Sequence, residues 1–192
     1  MSFNKLGALR FVEENDVKFI RLQFCDLLGE LKNISISPKQ LSKAFDEGIA
    51  FDASSIKGFT TIEDSELFLF PDPTTLCILP WRPQHGKVAR LFCDIKTSEG
   101  TPFIGDSRYI LKRAYEKAKN MGYIFKVGAE CEFFLFKTDL EGNPIPEPSD
   151  KASYFDVAPL DQGENTRREI CLTLEEMGFE IESSHHESAT GQ

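Results

Sequence analysis

Four prolines, Pro71, Pro73, Pro80 and Pro83, cut one stretch of this chain into apolar runs too short for helices. Proline has no amide hydrogen to give a helix interior, and within sheets it is tolerated only at edges and ends. The runs that the prolines bound, 66–70 (ELFLF), 75–81 (TLCILPW) and 87–95 (KVARLFCDI), therefore read as strands. Upstream, Phe3, Leu6, Leu9 and Val12 recur at helical spacing and predict a helix over 3–14. From Val17 the period falls to two: Ile20, Leu22 and Phe24 alternate with Arg21 and Gln23, a half-buried strand. Asp26 to Gly29 is a turn, and Glu30 to Ser37 returns as the second strand of a hairpin. Ser37-Pro38 opens a helix through Phe45, and Gly48 closes it. Residues 49–64 read as a loop. The sum is a small α+β unit ending near residue 100.

The segment 98–106 (SEGTPFIGD) reads as a linker, which gives domains of 1–100 and 104–192. Asp106 is placed to cap a helix with the core stripe Leu111, Ala114, Tyr115 and Ala118, ended by Gly122. A phenylalanine-rich strand is expected over Ile124 to Lys137, then a polar loop over 138–153 and a short strand over Tyr154 to Ala158. Asp161 and Glu164 have capping-box spacing before a helix carrying Ile170, Leu174 and Met177, stopped by Gly178. A last strand is expected from Phe179. The sequence stops at Gln192, soon after His185-His186-Glu187, with no closing element, and so reads as a cut.

The formal charge is -9, from 31 acidic and 22 basic residues, which argues against nucleic acid as the main partner, since phosphate binding needs a basic stripe. An acidic chain suits cations, or anions bridged by a metal. The five cysteines are odd in number and never at CxxC spacing, so neither a disulfide framework nor a zinc knuckle is expected. Buried thiols and a reducing compartment, the cytoplasm, follow as expectations. No run is apolar for the length of a membrane span, and Met1 to Asp16 has no signal-peptide core. Phosphate-cradling glycine loops and a GxSxG elbow are missing.

Three constellations carry possible chemistry. In a strand, Glu130 and Glu132 project to one face, with Cys131 and Phe133 on the other. Two carboxylates at the head of an apolar strand are costly unless a cation joins them, and a hard divalent ion with oxygen ligands would serve. A solvated strand end is the plain alternative. Glu182 to Glu187 offers two carboxylates and the pair His185-His186, either a transition-metal site or polar packing. Regular pleating puts Glu182 and Glu187 on opposite faces, so a shared site needs the strand to bulge or end between them. The third, Phe51 to Phe59 with Asp52, Ser54 and Ser55, is a cation-binding loop or a plain connection.

Taken in order, FDASSIKGF, ELFLFPDPTTLCILPW, TPFIGDSRYILKRA, GAECEFFLF, SYFDVAP and IESSHHESATGQ resemble successive segments of class I, bacterial-type glutamine synthetase. The resemblance covers essentially the whole chain. It implies an α+β fold: a small β-grasp domain followed by the first part of the catalytic α+β domain. It implies the family's reaction, in which glutamate attacks the γ-phosphate of ATP and ammonia displaces phosphate from γ-glutamyl phosphate. Charge neutralisation by Mg2+ or Mn2+ suits that chemistry. By this resemblance Glu130 is a ligand of the metal serving the ATP phosphates, and Glu132 and Glu187 are ligands of a second metal. Glu182 belongs to the nucleotide site. Asp52, with Ser55 in its loop, binds ammonium and takes its proton, and Tyr154 lines the ammonium and glutamate pocket. Sites shared between subunits of a double-ring homo-oligomer are implied as well.

Two departures stand out. Ala53 occupies a position where the family has glycine, a strain if the backbone there needs positive φ. The family also continues past Gly191-Gln192 with a further glutamate ligand, a histidine ligand and substrate-binding arginines. The expectation is a fragment that is inactive alone. The alternatives are a truncated, non-catalytic paralogue that binds full-length synthetase or a metabolite, and a zinc-preferring module built on His185, His186 and nearby carboxylates.

Overall fold

The computed structural model describes residues 3–59, 65–81 and 85–192. Residues 60–64 of the expected 49–64 loop, and Pro83, lie outside them. The chain forms two compact units, Met1–Lys126 and Val127–Gln192.

The first unit is built on a six-stranded mixed sheet. Helix α1 (Lys5–Glu14) precedes the hairpin β1 (Val17–Cys25) and β2 (Leu31–Ile36). The hairpin turn is set by Asp26, whose carboxylate accepts the Leu28 and Glu30 amides at 2.8 and 2.9 Å. Ser37-Pro38 starts a 3-10 turn before α2 (Leu41–Glu47), which ends at Gly48 with φ 76°. A Cβ there would lie 2.8 Å from the Phe70 ring, so both the backbone and the packing demand glycine. Part of the expected loop is a strand: β3 (Ile49–Asp52) pairs antiparallel with β4 (Glu66–Pro71). Its apolar run is too short to show a period in sequence. Next, β5 (Cys77–Leu79) is shorter than expected because Asp72 caps a 3-10 turn at Pro73–Thr75.

The long strand β6 (Lys87–Thr97) joins everything: it pairs parallel with β1 and antiparallel with β4 and β5. The parallel β1–β6 centre flanked by antiparallel strands is the expected β-grasp arrangement. Ile20, Leu22 and Phe24 of β1 pack with Leu69, Leu91 and Ile95, beneath Ala8 and Val12 of α1 and Leu41 and Ala44 of α2.

The segment read as a linker is packed back on this sheet. Phe103 donates its amide to the Ile95 carbonyl, and Pro102 bridges to Lys96. Buried Asp106 holds two elements at once: one carboxylate oxygen accepts the Ile95 amide at 3.0 Å, the other the Arg108 amide that caps α3 (Ser107–Asn120). Arg108 pairs with Asp72 and Asp94, and Lys112 with Asp94. The expected stripe of α3 is not buried: Leu111 and Tyr115 stay 62% and 44% exposed. Helical periodicity correctly gave the helix, but burial of its face also needs a partner surface, which this unit does not supply.

In the second unit, β7 (Phe136–Thr138) and β8 (Pro144–Pro148) form an antiparallel hairpin whose turn is held by Asp139. Helix α4 (Glu164–Glu176) follows, with Gly178 just past its end at φ 89°. Four expectations are corrected here. Of the strand expected over 124–137, only Phe136 onward joins a ladder, because no edge among the described residues pairs with the rest. The polar loop 138–153 contains β8. Tyr154 to Ala158 is a turn, with Phe155 at φ 60°, and the stretch from Phe179 forms no strand. The chain after Glu187 instead lies against the hairpin: Leu135 donates its amide to the Gly191 carbonyl at 2.7 Å.

Candidate functional site

The sequence-derived site residues divide between the two units. In the first, Asp52 closes β3 and caps the 3-10 turn Ala53–Ser55; its carboxylate accepts the Ser54 amide at 2.9 Å and the Ser54 hydroxyl at 2.6 Å. Those bonds, the Ser54 hydroxyl foremost, with help from Ser65 and against a small burial effect, hold Asp52 below the usual carboxylate range. It is an anion at neutral pH, suited to holding a cation. Ser55 is exposed beside it. Ala53 is fully buried, and its φ is not positive, so alanine carries no strain there.

In the second unit Glu132, Glu187 and Tyr154 gather around the last residues. Gln192 links two of them: its side-chain amide donates to Glu132 at 2.9 Å, and its carbonyl accepts the Glu187 amide at 2.9 Å. The Glu187 carboxylate lies 3.7 Å from the His185 ring, which stands edge-on to the stacked rings of Tyr154 and Phe155. Tyr154, Glu132 and Glu187 therefore share one neighbourhood. Glu130 sits two positions before Glu132, and Glu182 five before Glu187; both are exposed, with no side-chain partner among the described residues. Since 179–187 joins no ladder, the pleating that would have kept Glu182 and Glu187 on opposite faces does not apply. Exposed carboxylate oxygens are the donor type that Mg2+ and Mn2+ take, so the donor set fits those ions.

Sequence reasoning missed a buried network next to this site. Asp150, Asp161 and His186 place potential ligand atoms within 4.8 Å of one another, a convergence that Glu130, Glu132 and Glu187 do not reach. The His186 ring puts Nδ1 2.7 Å from the Glu187 carbonyl and Nε2 3.1 Å from Asp150. Both partners are acceptors, so the contacts favour the ring with both nitrogens protonated. Burial pulls its pKa down, but the Glu187 carbonyl, Asp150 and Asp161 outweigh that and raise it. Asp161 does not cap α4 as expected; it accepts a two-pronged bond from Arg167, which holds it below the usual range. Asp150 is thus paired with His186, and Asp161 with Arg167. The same bonds engage both His186 nitrogens. Among the thiols, Cys93 is buried, with its pKa pushed up by burial, whereas Cys131 is exposed, against the expectation for an apolar run.

Comparison with known proteins gives the family of the chain. The family model described as glutamine synthetase, beta-Grasp domain, matches residues 16–98, and that described as glutamine synthetase, catalytic domain, matches 104–192. The chain belongs to the glutamine synthetase family. Among curated relatives, a glutamine synthetase of Clostridium saccharobutylicum is 57% identical over 99% of the chain, and one of Methanosarcina mazei 53% identical over 98%. The chain spans 43% and 42% of their lengths. In fold it is similar to a Plasmodium falciparum glutamine synthetase, with a TM-score of 0.78, 23% identity and full coverage of this chain. It is also similar to a GmaS/ADP complex, with a TM-score of 0.78, 25% identity and 96% coverage. Those chains are covered to 43% and 42%. Among the described residues no helix is long and apolar enough to cross a membrane.

Proposed function

We propose that this chain carries the ammonium-loop and first metal-ligand segments of a glutamate–ammonia ligase. The observation that supports this most is the Gln192 bridge, which sets Glu132 and Glu187 around a single residue. In this reading Glu130 is a ligand for the metal at the ATP phosphates, and Glu132 and Glu187 hold a second ion. Bound Mg2+ or Mn2+ would neutralise charge on the phosphates and on glutamate. Glu182 faces the nucleotide, a role in keeping with the ADP carried by the similar GmaS structure. Asp52, kept ionised by Ser54, holds ammonium; its depressed pKa makes it a better cation binder than base, so the proton moves once ammonium is bound and desolvated. Ser55 shares the loop, and Tyr154, edge-on to His185, lines the ammonium and glutamate pocket in this reading.

A domain boundary between residues 100 and 104 is part of this proposal, supported by the separate family matches on either side. So are assembly into a homo-oligomeric double ring, in which the Asp52 loop serves a neighbouring subunit, and a cytoplasmic location, which the cysteine composition favours. The chain spans about 43% of the length of its curated relatives, and the further glutamate, the histidine and the arginines that the family resemblance implies fall in the length it does not span. Purified chain should therefore make no glutamine from glutamate, ammonia and ATP. Turnover near the common enzyme rate of about 10 per second would overturn that. Co-purification with a full-length synthetase would favour the non-catalytic paralogue instead.

A further inference from the structure

We propose that Asp150 is the positioning residue that sets Glu187 beside Glu132, an inference that rests on the metal-site reading above. The Asp150 side chain is 1% exposed and takes four donors. One oxygen accepts the Ala152 amide at 3.2 Å, His186 Nε2 at 3.1 Å and the Gly191 amide at 3.0 Å; the other accepts the Gln162 amide at 3.1 Å. A carboxylate has the lone pairs for all four, whereas an asparagine would turn an N–H toward at least one donor.

The placement of two of these donors is what matters. His186 and Gly191 bracket Glu187, so one buried carboxylate fixes the chain on both sides of the candidate ligand. The segment between them is then closed by bonds that Asp150 does not make: Phe155 donates to the His186 carbonyl at 3.1 Å, and Glu187 to the Gln192 carbonyl at 2.9 Å. From there the Gln192 side chain reaches Glu132 at 2.9 Å. The chain of contacts runs from Asp150, through His186 and Gly191, to Glu187 and Glu132. With its carboxylate engaged by four donors, Asp150 acts on the site through its neighbours, as outer partners of metal ligands do.

The test compares the 192-residue chain with Asp150→Asn, and with Asp139→Asn, which disturbs only the β7–β8 turn. Amide exchange is read at Glu187, whose amide Asp150 does not touch, and Mn2+ affinity is read by EPR. Asp150→Asn should speed exchange at Glu187 and weaken Mn2+ binding, each by about tenfold or more, and Asp139→Asn should change neither. Wild-type exchange at Glu187 in Asp150→Asn, or faster exchange with undiminished Mn2+ binding, overturns the proposal. If the wild-type chain binds no Mn2+, the metal-site reading fails, and exchange alone decides whether Asp150 positions the segment. If Asp150→Asn melts the second unit, His186→Gln, which cuts one of the two ties while keeping a donor, is judged by the same two readouts.

Discussion

Single residues in the second unit carry more than their local sequence announces. Gly191 has φ 72°, and a Cβ on it would lie 2.8 Å from the Leu135 carbonyl oxygen, a backbone atom that cannot step aside. Gly191→Ala should therefore destabilise the second unit by about 1–3 kcal/mol and loosen Gln192 from Glu132. Urea unfolding, with amide exchange at Leu135, checks this; unchanged protection at Leu135 would contradict it. Asp161 gives a pH signature. Arg167 holds its folded-state pKa below the ordinary value, so the stabilisation is complete above about pH 4 and is lost as pH falls through the lower folded value. The stability advantage of wild type over Asp161→Asn should be larger at pH 6 than at pH 3, measured by urea unfolding. An equal advantage at both would remove the ion pair as its cause. Neither Asp161 nor its neighbour Asp150 was legible as it stands in the structure. Asp161 has the spacing of a cap, and Asp150 is an unremarkable acid in a polar loop whose partner His186 lies 36 positions away. No local period records such a pair.

At the scale of elements, legibility followed where burial comes from. β1 and α1 pack within one small unit, and their periods of 2 and 3.6 gave them almost to the residue. Residues 124–135 of the strand expected over 124–137, and the strand expected from Phe179, have suitable side chains, but a strand exists only through a paired edge, and none is available to them among the described residues. The α3 stripe failed for the same reason on a helix: Tyr115 and Leu111 face water. What fixes α3 is its N-terminus. Asp106→Ala removes the cap, costing about 1 kcal/mol, and strands the Ile95 amide, costing about 1–3 kcal/mol more. Tyr115→Ser, on the open face, should stay within about 0.5 kcal/mol of wild type. Thermal or urea unfolding followed by circular dichroism separates the two; equal costs would mean that α3 is held by its face after all.

For the molecule as a whole, the family was legible from six motifs in order, and the β-grasp fold agrees with them. The arrangement of the candidate site was not legible in the sequence. Glu132, Glu187 and Tyr154 come together, while Glu130 and Glu182 stand exposed without side-chain partners among the described residues. The chain spans about 43% of its curated relatives, and its carboxylates converge less tightly than the buried Asp150–Asp161–His186 group. Metal binding by the exposed glutamates is the claim on which the functional reading turns. It is tested most directly by Mn2+ EPR on the purified chain beside Glu130→Gln, Glu132→Gln and Glu187→Gln. The account predicts saturable binding that Glu132→Gln and Glu187→Gln each weaken by at least about tenfold, with loss of a distinct ion in Glu130→Gln. Binding that survives all three substitutions, or no binding at millimolar Mn2+, would contradict it.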